Sequence, residues 1–222
     1  MNTVTLMINK LKDPGSALTH GIGMAAAMIA SVPLIVKAWS TRSVENTVAI
    51  IIFIVSMILL YAASTFYHSL NISQRINKIL RKIDHMMIYV LIAGTYTPIC
   101  AIVLGDRTGW AMLFAVWGIA VIGILISALW INCPKAFSSV VYIAMGWVCI
   151  FAISRIVAAL PKDAFGWLLA GGLLYTVGGV IYALKLPVFK KLPKNFGAHE
   201  IFHVFVMCGS ICHYILMYNY VC

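Results

Sequence analysis

Two histidines four residues apart, His199 and His203, stand near the start of the last apolar stretch of the sequence. On a helix this spacing places both imidazoles on one face, about 6 Å apart along the axis. A third histidine, His68, ends the second apolar stretch, and Asp84 and His85 open the third. Ionisable side chains in apolar spans are costly to bury, so they are functional candidates by default.

Three imidazoles and a carboxylate are ligand types that zinc prefers. Three protein nitrogens and a water make an open tetrahedral zinc site, in which the metal acidifies the bound water. We predict that His68, His199 and His203 bind Zn2+. Asp84 is predicted to hold that water, act as a general base or orient a ligand histidine, and Ser64 to hydrogen-bond the water or an oxyanion. The alternative is a group of buried histidines that bond to the backbone or to Asp84.

Residues 199–203 read His-Glu-Ile-Phe-His, which also matches the H-E-x-x-H helix of metalloproteases, where the glutamate is the general base. An intramembrane metalloprotease that uses Glu200 is therefore an alternative. Such enzymes need a further ligand, usually downstream, and the 19 residues after His203 include no Asp or Glu. The simpler interpretation of Glu200 is a carboxylate near a helix N-terminus, where the helix dipole favours it.

The other polar residues of the apolar stretches are expected to be structural. Arg155 stands near the end of the fifth stretch, where its long side chain can reach the membrane surface. His213 follows His203 by ten residues, about 1,000° around the helix, so we predict a satisfied core histidine that faces elsewhere. Four of the six cysteines lie within stretches and are expected to pack as small hydrophobes.

The composition requires a membrane around these residues. Apolar residues make up 63% of the 222 residues and charged residues 10%, against about 25% charged in soluble proteins. A chain of this size cannot hide so much apolar surface in its own core. This excludes a soluble enzyme, a disordered chain and a secreted disulfide scaffold.

Seven stretches reach the roughly 20 apolar residues that a transmembrane helix needs. The sequence predicts an all-α, polytopic seven-transmembrane-helix bundle over residues 16–222, after a short N-terminal segment, 1–15. The predicted spans are about 17–38, 48–69, 84–104, 109–131, 138–158, 165–184 and 197–219.

The basic residues predict the direction of the spans. With the N-terminus inside, eleven lysines and arginines lie in inner segments and five in outer ones, which favours N-terminus inside and C-terminus outside. The net charge of +10 is therefore a topology signal with some anionic-lipid contact, and we expect no nucleic-acid partner. This direction places His68, Asp84 and His199 at one depth near the inner leaflet. Residues 72–83 fit either an amphipathic interfacial helix or a basic loop.

Several motifs of the spans occur together in one known family. They are Ser64-x-x-x-His68, His199-x-x-x-His203, His20-Gly21-Ile22-Gly23, Ile83-Asp84-His85 and Ala93-Gly94-Thr95-Tyr96-Thr97-Pro98. In these motifs the chain resembles the progestin and adipoQ receptor family, and more closely its bacterial haemolysin III-type branch. The resemblance covers the chain from about residue 15.

The resemblance implies seven helices, an inside N-terminus and a zinc ion near the cytoplasmic face. It maps the three ligands onto His68, His199 and His203, with Asp84 and Ser64 around the metal-bound water. The wider superfamily includes alkaline ceramidases, which implies metal-dependent hydrolysis of lipid amides. Bacterial members are associated with membrane-lipid homeostasis, and their haemolysin name is historical.

We therefore expect a multi-pass protein of the bacterial inner membrane that contacts membrane lipids and hydrolyses a lipid amide, such as a ceramide, or an ester. Four alternatives stay open at this point. They are a non-enzymatic lipid receptor or regulator with a structural zinc, the intramembrane metalloprotease, a cytolysin or pore, and a transporter. A transporter is disfavoured because the ionisable groups cluster at one face rather than at mid-membrane.

Overall fold

A computed structural model describes residues 11–130, 135–184 and 196–222. Within these ranges the chain forms α-helices and no strand. The helices are α1 Pro14–Ser40, α2 Val44–Ser69, α3 Gln74–Pro98, α4 Arg107–Leu129, α5 Lys135–Gly146, α6 Ile153–Ala159, α7 Lys162–Leu184 and α8 Ala198–Leu216. Turns of π-helix extend α3 and α8, and a 3₁₀ turn at Val148–Ala152 joins α5 to α6.

Seven helical segments of the described chain are long and apolar enough to cross a membrane. They coincide with the seven predicted spans, and the fifth combines α5, the 3₁₀ turn and α6. The all-α, seven-span class is therefore confirmed. The inside position of the N-terminus stays a prediction, and the lysines between 185 and 195 lie outside the described residues.

The third span begins earlier than predicted, at Gln74 rather than at residue 84. Ser73 caps this helix by accepting a hydrogen bond from the N–H of Ile76 at 3.3 Å. The gap predicted between the spans that end at residue 69 and begin at residue 84 was therefore too long, because residues 74–82 contain no glycine or proline to end a helix. The amphipathic segment of residues 72–83 is helical from Gln74 onward, as one of its two interpretations predicted, and this helix is continuous with the third span.

Close approach of the central helices depends on small residues. A side chain at Gly94 of α3 would come within 2.2 Å of Ser56 of α2, and one at Gly123 of α4 within 2.3 Å of Tyr89. Small residues let transmembrane helices pack by van der Waals contact where no hydrophobic force drives their association. Helices α2 and α3 are accordingly the most buried spans.

One face of the bundle, here called the N-terminal face, carries the starts of α1, α3 and α8 and the end of α2. There the N–H of Asp13 donates to the carbonyl of His68 at 2.9 Å. The Lys12 ammonium donates to the carbonyl of Tyr67 at 3.0 Å and lies over the Tyr67 ring, 3.4 Å from its centroid. The segment before α1 is thereby fastened to the last turn of α2.

The break in the fifth span is bridged by Tyr96 of α3. Its phenol donates to the carbonyl of Gly146 at 2.6 Å and accepts from the N–H of Cys149 at 2.8 Å. Backbone groups freed inside a membrane need such partners, because lipid offers none. Tyr96 therefore stabilises a helix break that lies beside the central cavity.

Candidate metal centre

Three histidines meet at the N-terminal face of the bundle. One ring nitrogen each of His68, His199 and His203 lies within 4.8 Å of the others, and the Nε2 atoms of His68 and His199 are 3.2 Å apart. We call these three residues the histidine cluster. His68 comes from the last turn of α2, and the other two come from the first two turns of α8. The sequence had predicted this convergence from helical spacing and span direction.

The cluster is buried, with His68 3% and His203 1% exposed. His203 is held by two residues of α1: its Nδ1 lies 3.1 Å from the hydroxyl of Thr19, and its ring stacks on His20 with centroids 3.6 Å apart. His68 Nδ1 lies 2.9 Å from the Asp13 carboxylate. Three helices and the segment before α1 therefore fix the rings.

Asp84 and Ser64 share a cavity wall with two of the three histidines. Both are buried, at 8% and 1% exposure, and both line the cavity that His199 and His203 also line. The Ser64 hydroxyl is near enough to the Asp84 carboxylate to interact with it, although it makes no hydrogen bond of standard geometry among the described residues. The structure thus brings the three histidines together, and it places Ser64 and Asp84 on the wall of a cavity that two of them also line; the roles predicted for Asp84 and Ser64 stay predictions.

Sequence reasoning missed three residues that contact the histidine cluster. His20 belongs to one of the motifs quoted above, whereas no pattern in the sequence marks Asp13 or Thr19. Thr19 and His20 are neighbours in the sequence, but their contacts with His203 span more than 180 residues. Neither ring nitrogen of His20 has a hydrogen-bond partner in the described chain.

Glu200 uses both carboxylate oxygens at the start of α8. One accepts from the N–H of Gly197 at 2.7 Å and the other from the Ser16 hydroxyl at 2.5 Å. This is the simpler role predicted for it, a carboxylate at a helix N-terminus. Both oxygens are thus held at the start of α8, which favours this structural role over that of a general base in a protease.

A cavity of about 450 Å³ opens beside the cluster, within the roughly 300–1,000 Å³ range of ligand sites. Its polar end contains Asp84, His199 and His203, and Arg81 and Lys82 stand at the N-terminal face. The rest of the wall is mainly apolar and reaches Ile156 on α6. Such a shape fits a molecule with one polar group and a long apolar part.

Two further polar residues of the spans were predicted to be structural. Arg155 reaches the opposite face and pairs with Asp106, Nη2 to Oδ2 2.6 Å. His213 packs on Tyr175, 5.3 Å between ring centroids, and lines the same cavity as His203. It is not satisfied, however, because its Nδ1 has no hydrogen-bond partner in the described part of the chain. The cysteines that the structure describes are free thiols, and Cys133 lies outside the described residues.

The geometry of the cluster fits a zinc ion. Zinc binds imidazole nitrogen at about 2.0–2.1 Å in tetrahedral sites, which places ligand nitrogens roughly 3.3 Å apart. The 3.2 Å distance between the Nε2 atoms of His68 and His199 is close to that nitrogen–nitrogen spacing. A direct hydrogen bond between the two rings is the alternative explanation of this distance. A measurement of metal content distinguishes the two explanations.

The fold and site define a multi-pass membrane protein with a buried three-histidine centre at one face. A family model described as haemolysin-III related matches residues 8–214. The chain is 37% identical over 219 residues to Hemolysin-3 of Bacillus cereus, covering 98% of this chain and 96% of that protein. It is 38% identical over 209 residues to a Hemolysin-3 homolog of Bacillus subtilis strain 168, covering 94% of each.

More distant similarity extends to receptors of animals. The chain is 23% identical over 224 residues to the adiponectin receptor protein of Drosophila melanogaster, covering 91% of this chain and 49% of that protein. These matches confirm the resemblance predicted from the motifs. The protein belongs to the haemolysin-III related family, within the progestin and adipoQ receptor group.

Proposed function

We propose that this protein is a zinc-dependent hydrolase of lipid amides or esters that serves membrane-lipid homeostasis. The observation that carries the proposal is the meeting of His68, His199 and His203 at the polar end of a long apolar cavity. Asp84 lines the same polar end but is not among the three grouped donors. Three nitrogen ligands leave one position open, which is typical of catalytic rather than structural zinc.

The proposed roles follow from the positions of the side chains. The three histidines would bind zinc, which when bound polarises a carbonyl and acidifies water. Asp84 would accept a proton from the attacking water and return it to the leaving amine or alcohol. The Ser64 hydroxyl would donate a hydrogen bond to the oxygen that becomes negative. The apolar wall would hold the acyl chain and exclude bulk water.

We further propose that the N-terminal face is cytoplasmic and that the protein lies in the inner membrane of a bacterium. The excess of lysine and arginine in the segments on that face supports this direction. With the N-terminal face in the cytoplasm, the centre would act on lipids of the inner leaflet. Lys12 lies on this face, outside the spans, and its partial burial lowers the pKa of its ammonium group.

The first experiment measures metal and turnover on protein purified in detergent. The wild type is expected to hold about one zinc per chain and to release fatty acid from a labelled ceramide or from a labelled lipid ester. Asp84→Asn is expected to keep zinc and to lose roughly 100-fold or more of the hydrolysis rate. Asp106→Asn, the same change on the opposite face, is the matched control and should keep both.

Wild-type protein with well under one equivalent of metal, unchanged in His199→Ala, would overturn the metal centre. Zinc without release from any lipid tested would favour the second candidate, a lipid receptor or regulator with a structural zinc. The similarity to an adiponectin receptor protein supports that candidate. Dye leakage from vesicles that persists in His199→Ala would instead support a pore, as the name of the Hemolysin-3 relatives suggests.

A further inference from the structure

The start of helix α1 contacts the histidine cluster from the side opposite to the cluster's converging nitrogens. Asp13, at the N-cap of α1, touches His68, and Thr19, nearly two turns on, touches His203. Neither belongs to the ligand set proposed above. Each meets a ring through Nδ1, which leaves Nε2 as the other nitrogen of that ring.

Asp13 and His68 are joined by two bonds. The Asp13 N–H donates to the His68 carbonyl at 2.9 Å, and Asp13 Oδ2 lies 2.9 Å from His68 Nδ1. A carboxylate can only accept, so Nδ1 carries the hydrogen. In the neutral ring Nε2 then presents its lone pair, and this is the atom 3.2 Å from His199 Nε2.

Thr19 acts on His203 in the same way. Its hydroxyl lies 3.0 Å from the carbonyls of both Gly15 and Ser16, to which it donates its one hydrogen. The oxygen is therefore left to accept from Nδ1–H of His203 at 3.1 Å. The stacked ring of His20 limits rotation of the same imidazole.

The Asp13 side chain is directed at His68 instead of at its own helix. An aspartate at an N-cap normally accepts from the first backbone N–H groups of the helix, yet Asp13 makes no such side-chain bond. Its side chain is 43% exposed, so it gains little from burial. The Lys12 ammonium lies 3.6 Å from the same Oδ2.

We propose that Asp13 and Thr19 are positioning residues that set the tautomer and orientation of His68 and His203, so that Nε2 of each ring faces the metal. The proposal rests on the metal centre proposed above. Partners of this kind fix ring orientation and raise ligand basicity, and their loss typically lowers metal affinity 10- to 100-fold.

Metal affinity tests this proposal without reference to turnover. Co2+ is titrated into metal-free protein and followed by its visible absorption, with Zn2+ competition for affinity. Asp13→Ala and Thr19→Val are expected to weaken binding about 10- to 100-fold and to shift the cobalt bands. Asp13→Glu and Thr19→Ser, which keep the acceptor, should recover much of the loss. Asp163→Ala, at an exposed acid in the first turn of α7, is the control and should bind as the wild type does.

A second measurement uses the metal-free protein, so it is informative even if the metal centre fails. Histidine ring nitrogens are labelled with 15N, and the His68 signals are assigned by their loss in His68→Gln. The wild type should show the Nδ1–H tautomer at His68, and Asp13→Ala a mixture. Unchanged affinity in Asp13→Ala, or a His68 tautomer that does not respond to it, would overturn the proposal. Absence of metal from the wild type would overturn the metal centre instead.

Discussion

The charged groups at the two faces of the bundle differ in how they are paired and in how far they are buried. At the face opposite to the histidine cluster, Asp106 caps α4 by accepting from the Gly109 N–H at 2.9 Å and pairs with Arg155 at 2.6 Å. Arg155 also donates to the Thr108 hydroxyl. The bond from Gly109, with Arg155 beside it, lowers the pKa of Asp106.

At the N-terminal face, Asp84 and the rings of His68 and His203 are buried, unlike the exposed Asp106–Arg155 pair. Two imidazole nitrogens point at each other across 3.2 Å, and among the described residues Asp84 is in no ion pair within 4 Å. Buried polar groups in folded proteins normally find partners. The Asp106–Arg155 pair joins α4 to α6, whereas the buried groups of the N-terminal face have the arrangement that the metal centre proposed above requires.

The largest expected effect, a loss of metal affinity, tests this difference between the two faces directly. His203→Ala removes one of the three proposed ligands, so metal affinity should fall by more than the roughly 10- to 100-fold that losing an outer partner costs. Arg155→Ala breaks the pair at the other face and should leave metal affinity unchanged. Equilibrium dialysis with 65Zn on both variants measures this. Equal losses in the two variants would contradict the separation of the two faces.

A second prediction concerns the two backbone groups at the break in the fifth span. Tyr96→Phe leaves the Gly146 carbonyl and the Cys149 N–H without the phenol that bridges them. Lipid offers these groups no other partner, and an unsatisfied group costs about 1–3 kcal/mol, so the free energy of unfolding should fall by about that amount. Tyr214→Phe, which removes a single bond to the Ala30 carbonyl, is the matched control and should cost less. Denaturant titration in mixed micelles compares them, and a Tyr96→Phe variant as stable as the control would contradict the role given to the bridge.

A smaller effect on stability is expected when acid protonates Asp106 and breaks its pair with Arg155. The pKa of Asp106 is lowered on folding, so its stabilising contribution is present above its unfolded pKa, roughly 3.9, and is lost as pH falls through the lower folded value. Thermal unfolding of wild type and Asp106→Asn should differ at pH 6 and converge at the lowest pH. A difference that grows toward low pH would have the wrong sign for this mechanism.

The sequence was sufficient to predict the spans and the histidine cluster because both depend on simple regularities. Runs of apolar residues define the spans, and four-residue spacing places His199 and His203 on one face. The length of α3 was underestimated because its first turns are amphipathic and carry no break signal. Asp13 was missed because its contact with His68 crosses 55 residues, and no local pattern records that contact.

His213 provides the smallest and most exacting test of the comparison, because it is a buried histidine outside the cluster. Its Nδ1 lacks a hydrogen-bond partner among the described residues, and it is 4% exposed. Burying an unpaired polar group is unfavourable, so His213→Leu, which removes that group at similar size, should leave stability unchanged or raise it by up to about 1 kcal/mol. Zinc content should not change.

The control for His213→Leu lies on the same helix. Ser210 is bonded to the hydroxyls of both Tyr61, at 2.7 Å, and Tyr175, at 2.9 Å. Ser210→Ala leaves two buried phenols short of a partner and should destabilise by about 1–3 kcal/mol. If His213→Leu costs as much as Ser210→Ala, His213 has a partner outside the described residues. The contrast between satisfied and open polar groups would then apply to the middle of the bundle as well as to its N-terminal face.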